Sequence, residues 1–359
     1  MTTPPALTLY PVRGVGEIGT DRPLAGELVG ALTDRGLFLE DGDLLVVSSK
    51  AVSKAAGLRV PDAKRQELVL RESRRVVAER ATATGITRIV EALAGPVMTG
   101  AGIDGSNTGP DGGLLLLPHD PDGAAAALRQ ALAAGAGMSP GGRLGVVLTD
   151  TAGRPWRAGQ TDFALGAAGV VPIEDLRGGV DADGRPLAVT VRAVADELAA
   201  AADLVSGKAS GCPAVLVRGL ADITLPLSDD GPGARPLVRT GPSDWFGLGA
   251  NEAVRAALGV RPGTPAAERV GLRPTGDESM AERVSRAVRV ARHGEDPRLE
   301  VTLLGAPGLA SEHLTPARVR AQVRGTDALA VGRVVARLEV ALRGEGCEPQ
   351  VDAIVLGAR

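Results

Sequence analysis

The stretch Gly14-Val15-Gly16-Glu17-Ile18-Gly19, GVGEIG, spells G-x-G-x-x-G, and whether it is a dinucleotide-binding turn decides between two kinds of α/β fold. An apolar run, LTLYPV from Leu7 to Val12, precedes it, and Glu40 stands about 20 residues downstream, as the fingerprint asks. In that fingerprint, however, the helix opens inside the glycines so that its first amides meet a pyrophosphate. Here Thr20, Asp21 and Pro23 signal a helix start only after the last glycine. The segment is therefore expected to be a tight turn linking strand and helix; a loop whose backbone approaches some other nucleotide stays open as a separate reading.

Working outward, LTLYPV and DLLVVSS (Asp43 to Ser49) read as strands, with a helix over Ala25 to Asp34 between them. RLGVVLTD (Arg143 to Asp150), LAVTVRAV (Leu187 to Val194) and PAVLVRGL (Pro213 to Leu220) read as buried strands. Ala193 to Val205 reads as a helix with an alanine face. No period of 20 to 50 residues repeats. Around Ser228 to Asp244, glycine, proline and aspartate crowd out periodicity and mark a boundary. The expected architecture is a mixed α/β body over residues 1–245 and a small C-terminal α+β domain over 246–359. The latter would hold strands at 298–305 and 351–356 and a helix at 326–343.

Composition bounds the chemistry. The 359 residues are 44% apolar but only 2% aromatic, so the cores are aliphatic and stacking platforms are scarce. A net charge of −3 with both signs interspersed gives no footprint for nucleic acid. Cys212, Cys347 and the histidines His119, His293 and His313 form no zinc spacing, so any metal has oxygen ligands, which suits magnesium or manganese. No apolar run reaches the roughly 18 residues of a membrane span, and the N-terminus does not read as a signal peptide, so a cytoplasmic protein is expected.

Two glycine-rich segments carry polar groups to probable strand ends. Ala101 to Gly123 offers Asp104 beside Ser106 and Asn107, which can hold a metal or a nucleotide hydroxyl, or close a plain Asx-turn. Val146 to Gly169 has a buried strand ending in Asp150-Thr151, with Arg154 and Arg157 following in one loop. Guanidinium groups suit phosphate or carboxylate, although a structural Asp150–Arg154 ion pair is the plainer alternative. Basic groups recur at Lys50, Lys54 and Lys208. The last lies in SGKASG, but Ala202 stands where a Walker A loop needs its first glycine. Nor is there a G-x-S-x-G elbow or a kinase signature.

Together these segments resemble the coenzyme F-420 gamma-glutamyl ligase family. The match runs through VVSSKAVSKAAG (Val46 to Gly57), AGIDGSN (Ala101 to Asn107), LLLLPHDPDG (Leu114 to Gly123) and LTDTAGRPWRAGQTDFALGAAGV (Leu148 to Val170). It continues through DLRGGVDADGRPLAVT (Asp175 to Thr190) and VADELAAAADLVSGKASGCPAVLVRGL (Val194 to Leu220). The resemblance implies a cytoplasmic homodimer that adds L-glutamate to the F-420 precursor at the expense of GTP, with Mg2+ or Mn2+ and a monovalent cation such as K+. It further implies Asp104 and Asp150 as metal ligands, Thr151 at a second metal position, and Asn107 on the nucleotide. The turn Val15, Gly16, Glu17 and Ile18, with Ser49, Lys50 and Lys54, would line the GTP site. So would the loop Ser206, Gly207, Lys208, Ala209, Ser210, Gly211, Cys212 and Pro213. Arg154 and Arg157 would hold anionic substrates.

The chain departs from the family pattern at Gly100, where members commonly carry Asn, and at Lys208, where they carry Glu or Gln. A protonated lysine cannot ligate a metal. That departure leaves open a second reading, a nucleotide-binding regulatory protein without turnover. The segment from Trp245 to Arg359 is short for a flavin-binding nitroreductase-like domain, and no FMN is expected.

Overall fold

In the computed structural model the described residues are 6–61, 64–110, 112–208, 210–241, 244–305 and 317–357. The chain divides into two compact units, Met1–Glu72 with Glu91–Ser243, and Ser73–Val90 with Asp244–Arg359.

The first unit contains β1 (Thr8–Val12), α1 (Leu24–Thr33), β2 (Asp43–Ser48), α2 (Ser49–Ala55), α3 (Pro121–Gly135), β3 (Leu144–Arg154), β4 (Arg157–Ala168), α4 (Val194–Ser206) and β5 (Ala214–Arg218). Its sheet runs β1-β5-β2-β3-β4, with β2 and β3 parallel and every other neighbouring pair antiparallel. Successive strand side chains alternate faces, and here both faces are covered. Leu45 and Val47 of β2 share one core with Leu28 and Leu32 of α1 and Leu128 and Leu132 of α3. Leu44 and Val46 point the other way, onto Ala195, Leu198 and Ala202 of α4. The alanine face lets α4 lie close to the sheet. Leu44, Leu45 and Leu144 are fully buried, each contributing about 1.5–3 kcal/mol.

The glycine stretch lies between β1 and α1 and holds no helical turn; α1 starts only at Leu24, with Pro23 at its N-cap. Moreover β1 pairs antiparallel at the sheet edge, whereas a dinucleotide-binding unit needs a parallel first strand. Two expectations are corrected. First, Leu187 to Val194 is not a buried strand: only Val191–Arg192 is extended, and Val189 is 85% exposed. Apolar content without a covering layer misled the reading there. Second, β3 does not stop at Asp150 but continues to Arg154 and pairs with β4, so Asp150 sits within a strand.

The second unit contains α5 (Ala250–Ala257), α6 (Met280–Arg292), β6 (Glu300–Gly305), β7 (Ala317–Gly325), α7 (Ala328–Gly344) and β8 (Cys347–Val355). β7 is central, antiparallel to β6 and parallel to β8. Val319, Ala321 and Val323 alternate inward against Val284 and Val290 of α6 and Val331, Val334 and Leu338 of α7. A capping box between Ser279 and Glu282 starts α6.

The sequence reading placed residues 73–90 in the first body, but they pack in the second unit. Their strands Ser73–Thr82 and Gly85–Ala92 carry charges whose partners come from there. Glu79 pairs with Arg88 at 3.1 Å and accepts from the Gly263 amide at 3.0 Å, Arg80 pairs with Glu252 at 2.6 Å, and Arg88 reaches Glu268 at 2.6 Å.

Candidate active site

A cleft of about 600 Å³ opens in the first unit where the parallel pair β2 and β3 runs out, walled by the glycine turn on one side and the end of α4 on the other. The carboxyl ends of adjacent parallel strands leave such a crevice because the chain departs from them in different directions. Ser48, the last residue of β2, lies in register with Thr149, so Asp150 and Thr151 follow at the mouth.

The structure brings most of the expected residues to this cleft. Val15, Gly16, Glu17 and Ile18 line it, as do Lys50 and Lys54 of α2, Asn107, Asp150 and Thr151. Ser206, the last residue of α4, lines it too, as do Gly207, Lys208, Gly211, Cys212 and Pro213 of the loop after it. The glycine turn is pinned by its acid: Lys54 Nζ lies 2.6 Å from Glu17 Oε1. Gly109, at φ +84°, leaves room for that carboxylate where a Cβ would collide with it.

Other expected residues stand elsewhere. Ser49 is buried, and Ser210 bonds the backbone of its own loop at Ser206 and Gly207; neither lines the cleft, and Ala209 lies outside the described residues. Arg154 and Arg157 sit exposed at the far end of the β3–β4 hairpin and do not line the cleft. Nothing pairs Asp150 with Arg154; the charges acting on Asp150 are those of Lys50, Asp162 and Asp104. Asp104 stands behind Lys50. One of its oxygens accepts from the Ser106 amide at 2.6 Å, an Asx-turn, while the other pairs with Lys50 Nζ at 2.6 Å.

Electrostatics separates the two aspartates. Burial raises the Asp150 carboxyl most; a hydrogen bond from the Thr151 backbone and the charge of Lys50 offset only part, and the charges of Asp162 and Asp104 raise it further, leaving it at about 7. Burial also acts on Asp104, but there the Lys50 ammonium and the Ser106 amide prevail and hold it below the usual range.

Two acids were missed in the sequence. Asp162 of β4 lies opposite Thr151 and accepts its hydroxyl proton, Oγ1 to Oδ1 2.6 Å. Asp203 lines the cleft from the last turns of α4, where burial and the charge of Asp162 raise its carboxyl and Lys208 lowers it. A signal existed for each: a polar Thr-Asp pair in hairpin register, and an acid near a helix C-terminus, where the dipole disfavours it.

Comparison with known proteins gives this cleft a context. The family model described as F420-0:Gamma-glutamyl ligase matches residues 59–219. The chain is similar to the protein named Coenzyme F420:L-glutamate ligase of Haloarcula marismortui, 37% identical over 238 residues, 59% of this chain and 87% of that one. It is similar to its namesake in Methanothermobacter thermautotrophicus, 37% identical over 264 residues, 67% of this chain and 98% of that one. A third, from Halobacterium salinarum, is 40% identical over 230 residues, 58% and 85%. Because the matches cover 85% to 98% of these relatives at 37% to 40% identity, the chain belongs to the coenzyme F-420:L-glutamate ligase family.

Proposed function

We propose that this chain joins L-glutamate to the F-420 precursor in a GTP-dependent reaction through an acyl phosphate. The observation that carries the reading is the mixed charge of one strand-end cleft: lysines 50, 54 and 208 beside aspartates 150, 162 and 203. That combination suits a polyphosphate together with a cation.

Amide formation from a carboxylate in water is uphill, so the acid must first be activated. A terminal carboxylate oxygen of the precursor attacks the γ-phosphorus of GTP, the bond to the β-phosphate oxygen breaks, and GDP leaves. The deprotonated amine of glutamate then attacks the acyl carbon and inorganic phosphate departs. Lys50 and Lys54 would hold phosphate oxygens, and Asn107 with the loop after α4 would seat the nucleotide.

Among the described residues no three His, Cys, Asp or Glu side chains form a metal cage. Two carboxylates nevertheless suit Mg2+ or Mn2+, which commonly take one or two protein oxygens and fill the remainder with phosphate and water. Asp150, pushed toward protonation by burial and neighbouring acids, is a group that a cation would relieve. Asp104 and Asp150 would hold that ion, which when bound neutralises charge on the triphosphate. A monovalent cation such as K+, a homodimer and a cytoplasmic setting complete the proposal on the family resemblance. Among the described residues, no helix is long and apolar enough to cross a membrane.

The test is a mass spectrum after incubation with GTP, glutamate, Mn2+ and the glutamate-free precursor. The expected product is heavier by one glutamyl unit. Saturable GTP binding with no mass gain would instead favour a nucleotide-binding regulator, the reading that Lys208 keeps in view.

A further inference from the structure

The hydroxyl of Thr151 is engaged on both sides. It donates to Asp162 Oδ1 at 2.6 Å and accepts from Lys208 Nζ at 3.2 Å. Lys208 is aimed there by its surroundings: Gly207, at φ +68°, turns the chain out of α4, and the Lys208 carbonyl accepts from Asn107 Nδ2 at 3.3 Å. Asp203 lines the same end of the cleft.

We propose that the Lys208 ammonium occupies the second cation position of this cleft, so that each chain takes one divalent ion rather than two. The inference rests on the metal-dependent reading above and narrows it.

An ammonium and a divalent ion make incompatible demands on Thr151. A Mg2+ or Mn2+ ion needs about six oxygens near 2.1 Å, and it would have to claim the hydroxyl oxygen that the ammonium now uses. The ammonium needs only hydrogen-bond acceptors, three at most, and the Thr151 hydroxyl supplies one within reach. Its charge is tethered, so a chelator cannot remove it, and it faces the space where polyphosphate oxygens would lie. At the other end Lys50 pairs with one oxygen of Asp104, but among the described residues no cation pairs with the Asp150 carboxyl, so a divalent ion would displace no ammonium from it.

The decisive measurement is the number of Mn2+ ions bound per chain, read from the loss of the free-ion electron paramagnetic resonance signal in nucleotide-free protein. Wild type should bind one ion, Lys208→Arg one, and Lys208→Gln two. Lys208 is exposed, and matched melting curves check that the variants fold. Two ions in wild type, or one in Lys208→Gln, would overturn the assignment while leaving a metal site at Asp104 and Asp150. No ion in any form would remove the metal-dependent reading and the inference with it.

Discussion

Replacing Asp150 by Asn should make the metal-free protein more stable at alkaline pH while abolishing its response to divalent ions. The carboxyl titrates at about 7 in the folded chain against an ordinary 3.8, with burial the largest cause. A carboxyl that holds its proton more tightly when folded adds stability below its unfolded pKa, and that stability is lost as pH rises through the folded value. The window is therefore pH 4 to 7, and the full cost at 1.36 kcal/mol per pH unit is about 4 kcal/mol. Asp150 is only partly buried, and residual access to water brings the expected figure to about 2 kcal/mol. Asparagine has the same shape and no proton to hold. In chelator, Asp150→Asn should melt roughly 4–8 °C higher than wild type at pH 8, with less than half that gain at pH 5. Saturating Mn2+ should raise the wild-type midpoint at pH 8 and leave the variant unmoved, and glutamate incorporation should be lost. Thermal denaturation followed by circular dichroism at both pH values reads all of this except turnover. If the variant instead melts lower than wild type by the same amount at pH 5 and pH 8, the carboxylate is structural and the reasoning fails.

Two further outcomes follow from the architecture. A chain cut after Ser243 should aggregate, because residues 73–90 lose the partners that Glu252, Gly263 and Glu268 supply. Replacing 73–90 with a short glycine-serine link should restore a soluble first unit, since the Leu93 amide already bonds the Glu72 carbonyl at 2.9 Å; size-exclusion profiles of the two truncations decide it. Exchanging both Arg154 and Arg157 for alanine should leave GTP affinity within about twofold of wild type, because the hairpin end stands outside the cleft. A tenfold or larger loss, about 1.4 kcal/mol, in a fluorescent-nucleotide titration would return them to the site.

What the sequence determined by itself was whatever depends on neighbours along the chain. The continuous apolar run of DLLVVS, rich in branched residues, and the alanine face of 194–206 specified buried strand and packed helix, because successive strand side chains point to opposite faces and both must then be covered. The late helix start at Leu24 ruled out the dinucleotide turn, because capping and proline geometry are local. Lysines 50 and 54, Asn107, Asp150 and the loop after α4 were legible as one nucleotide-site pattern because the family resemblance fixes their order in the chain. The tertiary structure alone decided which of them meet. Hairpin register set Asp162 opposite Thr151, and the end of α4 brought Asp203 and Lys208 to that pair, residues far apart along the chain. The same extension of β3 past Asp150 carried Arg154 and Arg157 out of the cleft. Residues 73–90 are assigned to the second unit by charges whose partners lie more than 170 positions away, a preference that local spacing cannot encode. Asp150 itself shows the division most sharply: its identity is written in the chain, but its proton affinity comes from burial and from the acids that folding sets around it.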